Sequence, residues 1–309
     1  MTAMSASRLS RLAPMALLLM AVLWGSTLIV MKDAYATMRP TDLLANRYLV
    51  ALLAFGVLMP RAWRTDRRTM LRGLGIGGLF GAGQVLQGVG LATTPASVNG
   101  FIGGLYVVAT PLLGAVLLGG RVSRRVWMAV GLATLGLAGL ALNPADLSSG
   151  IGLGQLITLA AALCYAGQIL FLGRVATAET VRSLGLYQVL GTTIVCLVVA
   201  APGGIQIASG SHQWLAVLYL GLLCGAAVTL LQSWAQARVE PNRAAVLMCT
   251  EPLWGAVFAI GLAGESLTVS VVIGSVAILA AMVLVVAPAR RRPVWRGRLA
   301  RPEQLTTAS

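Results

Sequence analysis

Two charged side chains stand where charge is expensive. Glu251 lies inside an apolar run at residues 244–262, and Arg47 inside another at 43–59. Read as helix at 1.5 Å per residue, Glu251 is roughly 11 Å and Arg47 roughly 6 Å from the nearer end of its run. An ion at that depth in hydrocarbon costs about 2.5–3.5 kcal/mol on insertion scales, so such residues face a cavity or a partner. A carboxyl can carry a proton or balance a cationic solute, which makes Glu251 a candidate for coupling or binding; the plainer alternative is a carboxyl that is neutral or paired and only packs. A guanidinium keeps its proton, so Arg47 needs a carboxylate, carbonyls or water. Asp42, about one and a half turns earlier, is one expected partner; an anionic solute group is another, and snorkelling to the outer surface is the plain alternative.

The amides come next. Gln84 and Gln87 share a helix face at i, i+3, and Gln232 and Gln236 share one at i, i+4. If their two helices correspond, the pairs are expected to face one another across a pseudo-two-fold axis; hydrogen-bonded glue between helices is the plainer reading. Asn99, Gln168 and Gln188 are candidates of the same kind. Trp24, Tyr106, Tyr165, Tyr187 and Trp254 could line a cavity or simply pack, with Trp24 and Trp254 favoured because each sits in a repeated motif. Pro111 and Pro252 each remove a helix hydrogen bond and so permit kinks at matching points. Enzyme chemistry has no such foothold. The single histidine, His212, falls in an expected outer loop, and no nucleophile–base pairing, zinc spacing or phosphate-binding loop accompanies it. Cys164, Cys196, Cys224 and Cys249 all lie in apolar runs without metal-ligand spacing, so neither metal nor cofactor is expected.

The elements that position these residues belong in lipid. At 309 residues, 58% hydrophobic and 10% charged, with a mean hydropathy of +0.85, the chain has more apolar surface than a soluble domain buries. Apolar runs at 14–31, 43–59, 73–92, 98–119, 126–142, 152–173, 184–201, 214–236, 244–262 and 269–286 each approach the roughly 20 residues that span about 30 Å of hydrocarbon. Runs this long lack the alternation of a barrel strand, which leaves ten helices. The first run exceeds a cleavable signal core and is expected to stay as a span.

The net charge of +14 is mostly arginine in short loops, which signals topology rather than nucleic-acid binding. With the N-terminus cytoplasmic, inner loops collect Arg61, Arg64, Arg67, Arg68, Arg72, Arg121, Arg124, Arg125, Arg174, Arg182, Arg238 and Arg243, while outer loops keep Lys32 and Arg39. Both termini are then cytoplasmic.

Thr110-Pro111-Leu112-Leu113-Gly114-Ala115-Val116 returns about 141 residues later as Glu251-Pro252-Leu253-Trp254-Gly255-Ala256-Val257. Gly120-Arg121 answers Gly264-Glu265, Gly77/Gly81 answers Gly221/Gly225, Trp24-Gly25-Ser26 answers Cys164-Tyr165-Ala166, and Asn46-Arg47 answers Tyr187-Gln188. Five helices per half, an odd number, send the second copy through the membrane upside down. The expected fold is an all-α integral membrane protein, ten transmembrane helices arranged as two inverted five-helix repeats around a central cavity. Its parts are a cytoplasmic segment at 1–13, a first repeat at 14–142, an outer linker at 143–151, a second repeat at 152–287 and an arginine-rich cytoplasmic tail at 288–309 that suits anionic lipid.

These residues resemble the EamA-type drug/metabolite transporter superfamily. The resemblance rests on Trp24-Gly25-Ser26, Asn46-Arg47-Tyr48 with Ala51, Thr94-Pro95-Ala96-Ser97, the stretch from Gly100 to Tyr106, Thr110-Pro111, Pro241-Asn242-Arg243-Ala244-Ala245, Glu251-Pro252 and Gly264-Glu265. Arg121 departs from the family, which usually has an acidic residue there. The resemblance implies an inner-membrane carrier, mostly an exporter, of small metabolites, amino acids or drugs. Without a nucleotide-binding domain it would be secondary-active, with protons coupled through Glu251 and partners limited to a small-molecule substrate, protons and membrane lipid. Two other readings carry distinct expectations. A flippase for a lipid-linked intermediate requires a lateral opening lined by apolar and basic residues. A non-transporting assembly protein requires Glu251 and the amides to be satisfied by neighbours, with no void between them.

Overall fold

The computed structural model describes residues 6–94, 96–119, 122–141, 152–263 and 269–286. Outside them lie Pro95, Gly120-Arg121, the 143–151 linker, Gly264-Glu265, the tail from 288 and the first five residues. Among the described residues every regular element is a helix. In chain order these are α1 (Ala6–Ala34), α2 (Pro40–Leu58), α3 (Arg67–Thr93), α4 (Ala96–Gly104), α5 (Tyr106–Leu118), α6 (Arg124–Ala141), α7 (Leu153–Val175), α8 (Val181–Ala200), α9 (Gly210–Leu218), α10 (Val228–Gln236), α11 (Pro241–Met248), α12 (Glu251–Ala263) and α13 (Val269–Val286). A π-helical stretch, Tyr219–Ala227, joins α9 to α10 in one rod. Seven of the resulting helices are long and apolar enough to cross a membrane: Leu12–Ala34, Pro40–Leu58, Arg67–Thr93, Asn99–Leu117, Leu153–Val175, Val181–Gly203 and Gly210–Gln236. The runs at 126–142, 244–262 and 269–286 fall on α6, on α11 with α12, and on α13, which stop short of that measure as described.

Local chemistry sets the ends. Pro40 opens α2 at its first position, where its missing N–H costs nothing, and Asp42 sits in the first turn, where the dipole favours an acid. Asp66 caps α3: its carboxylate accepts from Thr69 N–H at 2.9 Å, and these Thr69 hydrogen bonds hold the Asp66 carboxyl below the usual carboxylate range. Gly119 ends α5 in the left-handed region at φ 61°.

The bundle is held by helices crossing between the chain's two halves. α3 packs against α7 and α8, α1 against α10, α11 and α12, α2 against α8 and the π stretch, α4 and α5 against α7, and α6 against α13. Each contact has a counterpart when the elements before residue 142 are exchanged with those after 152. Glycines permit the closest approaches. A Cβ on Gly77 would strike the Gln188 carbonyl and one on Gly221 would stand 2.6 Å from the Arg47 carbonyl oxygen; one on Gly81 would meet Thr192 Cα at 3.0 Å and one on Gly225 the Ala51 Cβ at 3.0 Å. Thr192 Oγ1 also donates to Gly77 O at 3.0 Å, and Thr193 Oγ1 to Tyr48 O at 3.0 Å, so threonines fasten these seams.

The helix interruptions fall beside, not on, the prolines. α4 gives way to α5 at Leu105, and α11 to α12 at Cys249-Thr250. Pro252 is the second residue of α12, where proline fits a first turn; Pro111 lies inside α5, past the break.

Candidate functional site

Between the halves lies a cavity, partly open to its surroundings. Trp24, Thr27 and Met31 of α1, Arg47 of α2, Phe80, Gln84, Gln87 and Leu91 of α3, and Gly100, Gly103 and Tyr106 of α4 and α5 line it from the first half. Tyr165, Gln168 and Ile169 of α7, then Met248, Glu251 and Pro252 where α11 meets α12, line it from the second. The break before Glu251 brings this carboxyl to the wall at the first residue of α12.

Arg47 turns inward. Only 2% exposed, it donates from Nη2 to Gln84 Oε1 at 2.5 Å and to Tyr48 Oη at 2.7 Å, and from Nη1 to Met31 Sδ at 3.2 Å. Its guanidinium carbon rests 4.6 Å from the Tyr48 ring centroid, a cation–π contact. The expected pairing with Asp42 does not form. Asp42 accepts instead from Arg39 Nε at 2.6 Å and Nη2 at 3.2 Å, because Arg39 lies just before the helix, one turn away on the same face. Snorkelling is likewise absent, since neutral partners hold the guanidinium inside.

Polar contacts run on from Arg47 across the seam. Gln84 Nε2 donates to Tyr165 Oη at 2.8 Å, and Tyr165 Oη donates to Gln87 Oε1 at 2.7 Å. The chain Arg47–Gln84–Tyr165–Gln87 therefore ties α2 and α3 to α7. Beside it Trp24 stacks on Phe80 with centroids 5.7 Å apart and planes 10° apart, and donates from Nε1 to Cys224 O at 3.1 Å.

The two glutamine pairs do not meet as expected, because α7 stands between them. Gln84 and Gln87 bond to Tyr165, while Gln232 pairs reciprocally with Gln168 at 3.3 and 3.2 Å and Gln236 Nε2 donates to Ile169 O at 3.1 Å. Gln168 reaches the cavity; Gln232 and Gln236 lie behind it. Asn99 is fully buried and donates to Thr158 Oγ1 at 2.9 Å, away from the cavity. Gln188 is buried in the α3–α8 seam, with neither amide atom hydrogen-bonded among the described residues. Trp254 packs where a Cβ on Gly25 would touch it, outside the lining.

Thr27, Met31, Phe80, Ile169 and Met248 are lining residues that the sequence did not single out. Apolar and small residues on a helix face look alike whether they meet a void or a neighbour. Tyr165 carried one signal, its correspondence with the Trp24-Gly25-Ser26 motif, and it proves to be the bridge between the halves.

Glu251 has no salt-bridge partner among the described residues, where the ion pairs are Arg39–Asp42 and His212–Asp33. The same residues hold no cluster of three or more metal-ligating side chains. The site thus offers one acid, one guanidinium, three amides and an aromatic wall, a set suited to holding a small polar solute.

Known proteins resemble this chain in sequence and in fold. The chain is 26% identical over 273 residues, covering 88% of itself and 85% of its relative, to an uncharacterized transporter of Archaeoglobus fulgidus. A protein crystal structure superposes at a TM-score of 0.74 with 18% identity, over 89% of this chain and 96% of that one, a likeness of fold. The EamA-like transporter family matches residues 11–142 and again residues 152–287, so the chain, a multi-pass membrane protein, belongs to that family.

Proposed function

We propose that the protein is a secondary-active carrier that exports a small metabolite, amino acid or drug-like solute by alternating access, with protons coupled through Glu251. In this reading ten helices form two inverted five-helix repeats in the inner membrane, both termini cytoplasmic. The observation that carries it is the cavity at the seam, lined by both halves and holding Glu251 and Arg47. The reciprocal contacts support the inversion: Gly77 against Gln188 and Gly221 against Arg47 are the same contact made twice, about 141 to 144 residues apart. Met31, Leu91 and Gly100 place the cavity toward the ends of α1 and α3 and the start of α4, while the α3–α8 glycine seam is closed. A rocking of one half against the other exchanges these two conditions. The void between the halves weighs against a purely structural protein, and a lining of acid and amides weighs against a lipid path.

The test is flux in vesicles of known orientation, with labelled amino acids and drug-like cations, with and without a proton gradient. Wild type is expected to move at least one probe in a gradient-dependent manner. Glu251→Gln, shown by its elution profile to be folded, is expected to lose the gradient dependence. Flux of none of the probes, or gradient dependence that survives the substitution, overturns the reading.

A further inference from the structure

We infer that the cavity binds a small zwitterion, its anionic group at Arg47 and its cationic group at Glu251. The inference rests on the carrier reading only in calling the ligand a substrate; the claim itself concerns binding.

Both charges lack an opposite partner among the described residues. Arg47 meets only neutral groups, Gln84, Tyr48 and Met31, and its Nε donates to nothing among the described residues. The nearest acid in sequence, Asp42, is spent on Arg39. Glu251 enters from the other half of the chain and forms no ion pair among the described residues. Arg47 and Glu251 line the same cavity without meeting.

A buried guanidinium held by neutral acceptors remains uncompensated, and so does a carboxylate with no ion-pair partner among the described residues. A neutral ligand relieves neither. A cation relieves Glu251 but suffers Arg47, and an anion does the reverse. A zwitterion answers both, its carboxylate exchanging with Gln84 Oε1 as the stronger acceptor for the guanidinium. Trp24 and Phe80, stacked on one another, line the same cavity and offer apolar surface to the ligand's body. The Tyr106 hydroxyl, on a residue 5% exposed and without a hydrogen-bond partner among the described residues, is a further polar contact.

The experiment measures binding to the purified full chain in detergent, by calorimetry and tryptophan fluorescence, with no gradient or flux involved. Three probes share one ring and differ in charge: L-phenylalanine, 2-phenylethylamine without the carboxylate, and 3-phenylpropionate without the ammonium. L-serine and L-leucine test zwitterions with other bodies. Wild type is expected to bind L-phenylalanine on the order of tenfold or more tighter than either single-charge probe, about 1.4 kcal/mol for each charge. Arg47→Gln is expected to make the amine and the amino acid equal while preference over the acid persists. Glu251→Gln is expected to do the converse, a crossed pattern that general misfolding cannot produce. The inference is overturned if the amine or the acid binds wild type as tightly as L-phenylalanine, or if none of the three zwitterions binds. Should a variant fail to fold, the wild-type ratios decide alone. Zwitterion binding without flux would leave this inference standing and remove the carrier reading; flux with no charge preference would do the opposite.

Discussion

The seam between α3 and α8 has almost no room for a methyl group, and Gly77→Ala tests this directly. The added Cβ would fall against the Gln188 carbonyl oxygen, 2.8 Å from its carbon and 2.9 Å from Gln188 Cα, where ordinary contact begins near 3.4 Å. All three atoms are backbone, so no rotamer change relieves the clash. The helices must part, which also stretches the 3.0 Å bond from Thr192 Oγ1 to Gly77 O. Overpacking of this kind costs about 1–3 kcal/mol, and a weakened interhelical hydrogen bond adds about 0.6 kcal/mol, so a loss of about 2–4 kcal/mol is expected. Gly75 and Gly78 lie on the same helix with nothing within 4 Å of an added Cβ, so alanine at either is expected to be neutral or mildly stabilising through helix propensity. Gly221→Ala, whose methyl would stand 2.6 Å from the Arg47 carbonyl oxygen, is expected to behave like Gly77→Ala. Denaturant titrations in mixed micelles, followed by tryptophan fluorescence, measure the four variants side by side. Equal stability of Gly77→Ala and Gly75→Ala would refute the packing argument.

Two further substitutions probe the ends of the bundle. Asn46 bonds from Nδ2 to Gln206 O at 2.9 Å and accepts from Ala208 N–H at 3.2 Å, strapping the 201–209 segment onto α2; Asn46→Ala leaves those backbone groups unpaired and is expected to cost about 1–3 kcal/mol, with faster proteolysis in that segment as the readout. The Asp66 carboxyl, held low by its Thr69 hydrogen bonds, contributes stability that is present above the ordinary carboxylate pKa of about 4 and is lost as pH falls through its folded value. Asp66→Ala is therefore expected to lower stability at pH 7 and to flatten its decline at acid pH in thermal melts; an unchanged acid limb would contradict the cap.

Most of the framework could be read before the structure because lipid leaves few choices. Apolar runs near 20 residues must be helices, and the small-residue faces at Gly73/Gly77/Gly81 and Gly221/Gly225 mark where helices touch. Glu251, Arg47, Gln84, Gln87 and Gln168 stood out because polarity in an apolar run is conspicuous, and all five line the cavity. The partners were harder to read. Arg39 outcompetes Arg47 for Asp42 through one turn of helix geometry, which spacing alone leaves undecided. Gln188, Gln232 and Gln236 look like Gln84 in sequence, yet Gln232 and Gln236 bond to the interposed α7 and Gln188 is buried where α8 meets α3. Phe80 and Met31 carried no signal, since a lining side chain and a packing one are chemically the same.

The most direct test of alternating access is cysteine accessibility at the cavity's middle. Thr27 lines the cavity and, among the described residues, its hydroxyl bonds only to Trp24 O, at 2.7 Å on its own helix, so Thr27→Cys disturbs little. Labelling with a membrane-impermeant maleimide, in right-side-out and in inverted vesicles, with the wild-type chain as the background for buried Cys196, Cys224 and Cys249 and half-buried Cys164, reports which compartment reaches the site. Modification from both sides is expected for a seam that opens in turn to each; modification from one side alone, however long the exposure, would contradict it.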